Sequence, residues 1–450
     1  MAKRVLNFLH PKIYILLVFA CIFILISLVN HYNFRTYGFD LGIYNNALFD
    51  YSRFQINDNP IMHPRFNNVL SDHFSLYHFV FAPFRYIFGS WTLLIFQIAA
   101  ILFGALGIQK VVNFLTENHR FSLIAMVHFL SIWGIYSALA FDYHDNVVAA
   151  MFVPWLIWYV LQKKYIPIAI WTFIIFVSRE NMSLWLAFIY LGLFVWKFKD
   201  SEIRIISLLG VLFSVAYFIF VLKFAMPYFA DPDRTYAHFK YGALGDSPSE
   251  ILENVFLRPK YMFSTLFESH YSNTNYNGIK TELHYIILLS GGIALLYRPQ
   301  FLIMLIPIYV QKLFHSDFAK WGVNNHYSIE FAPILTLSFF YWISQLHISN
   351  RLKTRILIGG TIICFAATIS IMPARKSKWY NKNAVMFYSA KHYQRNFDVE
   401  KVHEFLDEIP DDAKVSAQNM LVPHLAFRDD IYLFPVLVDA EYIALVPKAG

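Results

Sequence analysis

Residues 13–29, IYILLVFACIFILISLV, form an uninterrupted apolar run that is close to the length a helix needs to cross a bilayer. The whole chain has 450 residues, of which 57% are hydrophobic and only 15% are charged. A soluble domain usually carries about 25% charged residues. Because similar apolar runs recur along the chain, the sequence predicts an all-α polytopic membrane protein. No small-x-small cleavage site follows the first run, so it is predicted to be an uncleaved signal anchor.

Hydropathy predicts about eleven transmembrane helices. They cover residues 12–30, 91–112, 121–138, 146–162, 165–178, 181–197, 204–226, 283–297, 299–313, 330–347 and 354–372. The apolar stretch 74–88 is interrupted by His78, Pro83 and Arg85. It is therefore predicted to be an interfacial or re-entrant helix rather than a span.

Basic residues mark every second connection between these helices. They are Lys110, Arg120, Lys163, Lys164, Lys197, Lys199, Arg204, Arg298, Arg351, Lys353 and Arg355. Since positively charged short loops stay in the cytoplasm, the pattern predicts a multi-pass protein of the inner membrane with a cytoplasmic N-terminus, MAKR. This orientation explains the net charge of +7, and no nucleic-acid partner is expected.

The other connections are predicted to lie outside the cytoplasm, and the longest are 31–90, 227–282 and 314–329. Ionisable side chains gather there and in two short turns, FDYHDN (141–146) and SREN (178–181). Such groups at span ends mark a functional site when they face the bundle. They are Asp40, Asp50, His63, Arg65, Asp72, His73, Asp142, His144, Asp145, Arg179, Glu180, His315, Asp317, His326 and Glu330.

Structural roles compete with a functional one for several of these residues. Asp40 is placed to cap the helix that LGIYNNALFDY predicts, since Asp is a favoured N-cap. Asp72 and His73 could cap a helix over 74–88 in the same way.

Structural roles are also open for the two short turns and for His326 and Tyr327. The DYHD stretch is compatible with a solvated turn, and SREN with an interfacial salt bridge between Arg179 and Glu180. Tyr327 fits an aromatic belt at the membrane surface as well as a site.

The tail, residues 373–450, has a soluble pattern and is predicted to form a small extracytoplasmic α/β domain behind the membrane domain, residues 1–372. DVEKVHEFLDEI predicts an amphipathic helix. AKVSAQ, IYLFPVL and EYIALV predict short strands, and MLVPHLAF a helical turn. Because so little of the chain would cover this sheet, a C-terminal truncation stays open.

Several stretches resemble one family of bacterial and archaeal membrane proteins, domain of unknown function 2079. They are FDLGIYNNAL (39–48), SDHFSLYHFVFAPF (71–84), FDYHDN, SREN, NNHYSIEFAP (324–333) and KVSAQNMLVPHLAFRDDIYLFP (414–435). The resemblance covers roughly residues 30–450. That family in turn resembles the GT-C class of glycosyltransferases.

The GT-C resemblance implies a multi-span enzyme that takes a sugar from a polyprenyl-phosphate donor outside the cytoplasm. In that class an acid in the first outer loop is catalytic, and Asp40 matches this position. A second acid is often close by, whereas FDLG offers only one. Asp50, Asp72 or Asp142 would have to supply it, and Asp72 is our choice beside Asp40 for the catalytic set.

The reaction needs a carboxylate for the acceptor hydroxyl and cationic or hydrogen-bonding groups for the leaving phosphate. Arg179 with His73 or His144 fits the phosphate. The predicted substrate-binding residues are His73, Asp142, His144, Arg179, Glu180, His326 and Tyr327. The aromatic-rich spans would line a groove for the lipid, so membrane lipid and the lipid-linked sugar are the expected partners.

No cofactor is assigned. Asp142, His144, Asp72 and His73 are acceptable ligand types for a divalent metal, but D-x-H is not a specific signature, and no metal site is predicted. The two cysteines, Cys21 and Cys364, lie in apolar runs and are expected to pack there.

Two other functions stay open. A transporter or flippase of a lipid-linked or polar substrate would also hold ionisable groups, but those usually lie at mid-membrane between repeats. The third alternative is a non-catalytic envelope protein that presents its outer domain to a partner.

Overall fold

The computed structural model describes residues 11–62, 68–231, 238, 240–245 and 247–447. The predicted residues His63 and Arg65 and the MAKR terminus lie outside this part of the chain. Helices dominate the described residues, and three short strands lie near the C-terminus.

The helices of the N-terminal half come first. They are α1 (Pro11–Tyr32), α2 (Ile43–Tyr51), α3 (Val69–Asp72), α4 (Tyr77–Phe81), α5 (Arg85–Phe88), α6 (Thr92–Thr116), α7 (His119–Leu130), α8 (Trp133–Leu139), α9 (Asp145–Ala150), α10 (Val153–Leu161), α11 (Tyr165–Phe176), α12 (Glu180–Trp196) and α13 (Ser201–Phe220). A single π-helical turn, Gly38–Gly42, leads into α2.

The remaining elements follow. They are α14 (Met226–Phe229), α15 (Pro248–Leu257), α16 (Pro259–Thr265), α17 (Ile279–Ile287), α18 (Ala294–Tyr297), α19 (Pro299–Leu313), α20 (Phe331–Ser344), α21 (Asn350–Ser370), α22 (Lys382–Val385), α23 (Val399–Asp407), β1 (Val415–Ala417), α24 (Val422–Leu425), β2 (Ile431–Leu433) and β3 (Tyr442–Ala444).

Four helical segments of the described chain are long and apolar enough to cross a membrane: Pro11–Tyr32, Tyr77–Thr116, Ser201–Phe229 and Asn350–Ser370. The number rises to five if α7 and α8, which meet at 45°, count as one bent span. Five further apolar helices are shorter: Asp145–Leu161, Tyr165–Phe176, Glu180–Trp196, Pro299–Leu313 and Phe331–Ser344. The chain is thus a helical membrane protein with several apolar helices.

Helical structure covers most of each of the eleven predicted segments. Three of them are interrupted: 121–138 between α7 and α8, 146–162 between α9 and α10, and 283–297 between α17 and α18. Between α17 and α18 the backbone leaves helical geometry at Ser290 and Gly291. Gly291 has φ 86°, and a Cβ there would lie 2.9 Å from the Phe339 ring. The stretch 74–88 is a series of short helical turns that runs into α6.

The helix α12 packs between α13 and α19 through small residues. A Cβ on Gly192 would lie 2.6 Å from the Gln300 carbonyl oxygen, and one on Gly210 would lie 2.4 Å from the Tyr190 ring. Glycines at such positions let helix backbones approach closely within a bilayer. The other face of α13 is not covered by the protein, because only 17% of the most apolar stretch of Ser201–Phe229 is buried.

The helix, the helical turn and the three strands predicted for the tail are confirmed. The amphipathic helix is α23, capped by the Asp398 side chain, and the three predicted strands form a parallel sheet in the order β2-β1-β3. The predicted turn is α24. This unit packs against the first outer segment, since a Cβ on Gly42 would lie 2.8 Å from Val422 Cγ1. Asn45 and Asn46 donate side-chain hydrogen bonds to the carbonyls of Pro423 and Ala426.

Gly134 in α8 tests how closely two site-bearing segments approach. A Cβ there would lie 2.3 Å from the Ser328 carbonyl oxygen, and a backbone atom cannot move aside cheaply. We expect Gly134→Ala to lower the free energy of unfolding by about 1–3 kcal/mol, measured by thermal unfolding of the purified protein. Gly359→Ala is the matched control, because nothing lies within 4 Å of its added Cβ. Equal stability of the two variants would contradict this packing.

Candidate functional site

A cavity of about 960 Å³ lies where the outer segments meet the bundle. Its polar wall comprises Asp40, Asp72, His73, His144, Asn146, Arg179, Glu180, His238, Lys320, His326, Tyr327 and Glu330. Its apolar wall includes Trp185, Phe188, Phe218, Leu222, Ile306 and Val310. Eight of the nine predicted site residues therefore line one cavity, although four separate segments supply them.

Asp142 is the ninth predicted site residue, and it lies behind the polar wall. Its carboxylate oxygen Oδ2 accepts a hydrogen bond of 2.8 Å from the Tyr37 backbone N–H, at the start of the π-helical turn. Burial, together with the negative charge of Asp40, raises the pKa of the Asp142 carboxyl well above its usual range. Asp142 thus holds the segment that carries Asp40.

The expectation that Asp40 caps the following helix is wrong. Asp40 lies inside the first helical turn, whose N-cap residue is Tyr37, and the acceptor for the Tyr37 N–H comes from Asp142. Asp72 does not cap the next helix either. It is the last residue of α3, and the side chain of Asn68 caps that helix.

Asp40 pairs with a histidine of the second outer turn. Asp40 Oδ1 lies 3.1 Å from His144 Nε2, with side-chain exposures of 28% and 2% respectively. The His144 ring stacks on His326 with 3.5 Å between centroids. Burial, and then the neighbouring His144, lowers the pKa of His326 well below its ordinary value, so His326 is neutral at physiological pH.

The second outer turn is buried, so the interpretation of DYHD as a solvated turn is wrong. Asp142, Tyr143, His144 and Asp145 are each at most 2% exposed. Gln97 of α6 holds this turn from both sides: its Nε2 donates to the Asp142 carbonyl, and its Oε1 accepts from the His144 backbone N–H, each at 2.9 Å. A glutamine within an apolar run was the sequence signal for this contact.

A second group of charges lines the same cavity. His73 Nδ1 lies 2.9 Å from Glu180 Oε1, and the Arg179 guanidinium contacts His73 Nε2. Burial and the positive charge of Arg179 lower the pKa of His73 to about 4. Arg179 Nε also lies 3.9 Å from Glu180 Oε1, so the predicted salt bridge is present, but it is buried and includes a histidine.

Two titratable residues of the polar wall, His238 and Lys320, are not among the residues singled out from the sequence. His238 Nε2 lies 3.3 Å from Asp72 Oδ1. Burial, and then the charge of Arg179, lowers the pKa of Lys320 to about 8. Neither residue has a local signal, since each lies in a long loop that only the tertiary structure brings to the cavity.

Glu330 is one of the acids that the sequence predicts for the outer loops, although the predicted site does not include it. Its Oε1 accepts a 2.9 Å hydrogen bond from the Asn146 side chain, and both residues line the cavity.

Asp50 is not among the cavity-lining residues. It binds the Asn57 side chain at 2.8 Å and Arg53 at 3.1 Å, next to the C-terminal unit. Of the three candidates for the second acid, Asp50, Asp72 and Asp142, Asp72 is therefore the one that lines the cavity.

One group in the described part of the chain has the ligand types and spacing for a metal ion. Asp72, His73 and His238 each offer one ligand atom, and these atoms lie within 4.8 Å of one another. The sequence had grouped Asp72 and His73 with Asp142 and His144 instead, but that second pair lies by Asp40.

The model of a predicted membrane protein family, DUF2079, matches residues 30–446. The chain belongs to this family. The matched range contains every residue of the cavity wall. A search of the curated proteins found no match. The family resemblance seen in the sequence is thereby confirmed for this DUF2079 protein.

The stability of two aspartate variants tests whether Asp142 has a structural role that Asp40 does not share. We expect Asp142→Ala to lower the free energy of unfolding by about 1–3 kcal/mol, because the buried Tyr37 N–H loses its acceptor. Asp40→Ala is the comparison, and it should have a smaller effect since Asp40 is partly exposed. Thermal unfolding of both purified variants measures this. An Asp40→Ala variant that is the less stable of the two would contradict the assignment.

Proposed function

We propose that this DUF2079 protein is a membrane glycosyltransferase of the GT-C type. It transfers a sugar from a polyprenyl-phosphate-linked donor to an acceptor on the extracytoplasmic face. One observation carries the proposal: a single cavity combines a partly exposed carboxylate, buried cations and an apolar wall. A lipid-linked phosphosugar has a sugar that reacts with the acceptor, a phosphate and a hydrocarbon chain. These three parts match the carboxylate, the cations and the apolar wall.

The proposed architecture has eleven spans, with the outer loops and the C-terminal unit outside the cytoplasm. Five segments far apart in sequence supply the polar wall: the first outer loop, the two short turns, the loop 227–282 through His238, and the loop 314–329 with Glu330 directly after it. All five are outer segments under the positive-inside assignment. Their convergence supports that assignment, because the basic inner loops contribute nothing to the wall.

Asp40 is the proposed general base. Its side chain has 28% exposure, and the paired His144 holds the carboxylate at the cavity edge. The acceptor hydroxyl gives its proton to Asp40 as its oxygen bonds to the anomeric carbon. The bond from that carbon to the phosphate oxygen breaks, and the lipid phosphate leaves with the electron pair. Asp72 is the second acid of the proposed set.

The phosphate partners are Arg179 and Lys320, the cations of the polar wall. A guanidinium matches the geometry of phosphate oxygens, and its hydrogen bonds to them strengthen as negative charge develops on the leaving group. His73 and Glu180 orient the Arg179 side chain. His326 and Tyr327 are the proposed hydrogen-bonding groups for the sugar.

The apolar wall is the proposed lipid groove. Ile306 and Val310 of α19 line the cavity while staying 40% and 37% exposed, so the cavity opens sideways between helices. Phe218 of α13 and Leu222 just after this helix also line the cavity. A hydrocarbon chain can therefore leave the groove into the bilayer.

A glycan and glycolipid profile by mass spectrometry tests this function. We expect cells without the protein to lose one sugar from an envelope glycan, and Asp40→Asn to fail to restore it at equal expression. Asp58→Asn is the control, since Asp58 is an exposed acid of the same loop and does not line the cavity. It should restore the glycan in full.

A null strain with an unchanged profile would contradict the glycosyltransferase and favour a transporter, a flippase or a non-catalytic envelope protein. Full restoration by Asp40→Asn would remove Asp40 from the role of base.

Cysteine labelling tests the orientation. Lys260 and Lys164 are both exposed, one in the proposed outer loop after α13 and the other in a proposed inner loop. With Cys21 and Cys364 replaced by Ala, Lys260→Cys should react with a membrane-impermeant maleimide on intact cells. Lys164→Cys should react only after the membrane is opened. The reverse result would place the cavity on the cytoplasmic side.

A further inference from the structure

The His73 ring has a defined tautomer. Its Nδ1 lies 2.9 Å from the Glu180 carboxylate, which is only 1% exposed and can only accept a proton from it when ionised. The proton of the neutral imidazole therefore sits on Nδ1, and Nε2 keeps a lone pair. A carboxylate behind a histidine is the arrangement that orients metal-binding histidines in proteins.

Two further ligand atoms lie around this lone pair. Asp72 Oδ2 lies 3.8 Å from His73 Nε2, and Asp72 Oδ1 lies 3.3 Å from His238 Nε2. Two ligands at about 2.1 Å from one tetrahedral ion are about 3.4 Å apart, so these spacings match a shared ion. The rings of His73 and His238 stack with 4.3 Å between their centroids, so the two imidazoles lie next to each other.

A cation already contacts this position. The Arg179 guanidinium touches His73 Nε2, the atom whose lone pair would bind a metal. A positively charged hydrogen-bond donor satisfies the same lone pair as a metal ion, and the two cannot occupy it together.

We propose that Asp72, His73 and His238 form a binding site for a divalent transition-metal ion in the cavity wall, and that the ion displaces the Arg179 guanidinium from His73. Two imidazoles and one carboxylate suit zinc, and three protein ligands leave a fourth position open. That position faces the cavity, where a phosphate oxygen would take it. The site itself rests on these side chains alone, and only the phosphate rests on the proposed function.

Zinc binding to the purified full-length protein, without a polyhistidine tag, tests the site by competition with a chelating dye. We expect one zinc ion per chain. Asp72→Asn and His238→Gln should each weaken it at least tenfold, and Glu180→Gln by about 10–100-fold through the loss of the oriented tautomer. His347→Gln, at an exposed histidine that does not line the cavity, is the control and should bind as the unchanged protein does.

Arg179→Gln gives a result that misfolding cannot imitate. Removal of the competing cation should tighten zinc binding, because Nε2 is freed and a like charge is lost. Unchanged or weaker binding in this variant would overturn the displacement. Zinc that binds equally well to Asp72→Asn and His238→Gln would be held by other histidines and would overturn the site. Neither result bears on the glycan profile, so the two proposals fail separately.

Discussion

Two buried side chains hold together the segments that carry Asp40 and His144. Gln97, in the apolar helix α6, binds the Asp142 carbonyl and the His144 N–H, and the Asp142 carboxyl binds the Tyr37 N–H. Polar groups inside a bilayer protein must find partners within the protein, because an unpaired one costs several kcal/mol. These contacts join helix α6 and the segment that begins at Tyr37 to the turn 141–146. These hydrogen bonds fix the positions of Asp40 and His144.

The cavity keeps its acids and cations in two groups. Asp40 pairs with His144 in the first group, while His73, Glu180 and Arg179 form a chain of contacts in the second. Burial makes each group depend on its partners, because an isolated charge in such a place is costly. A substrate with both a hydroxyl and a phosphate would meet the two groups in different places. The apolar wall, open beside Ile306 and Val310, supplies the third surface.

The C-terminal unit takes part in this arrangement. Gly38 donates its N–H to Asn419, and the side chain of Asn45 reaches the Pro423 carbonyl. The sheet thereby lies against the back of the segment that carries Asp40, and Gly42 leaves room for Val422. The tail therefore helps to position a residue almost four hundred places earlier in the chain, although its own pattern is that of a soluble unit.

The sequence by itself determined the helical membrane class, the places of the apolar helices and the elements of the tail, because hydropathy and periodicity are local properties. It also pointed to Asp40, His73, His144 and Arg179 as outer residues, since charge beside an apolar run is visible locally. Only the tertiary structure decided that Asp142 supports rather than lines the cavity, that Asp50 lies elsewhere, and that His238 and Lys320 join the wall. Those outcomes depend on contacts such as Tyr37 to Asp142, across 105 residues, and no local pattern encodes which loops meet.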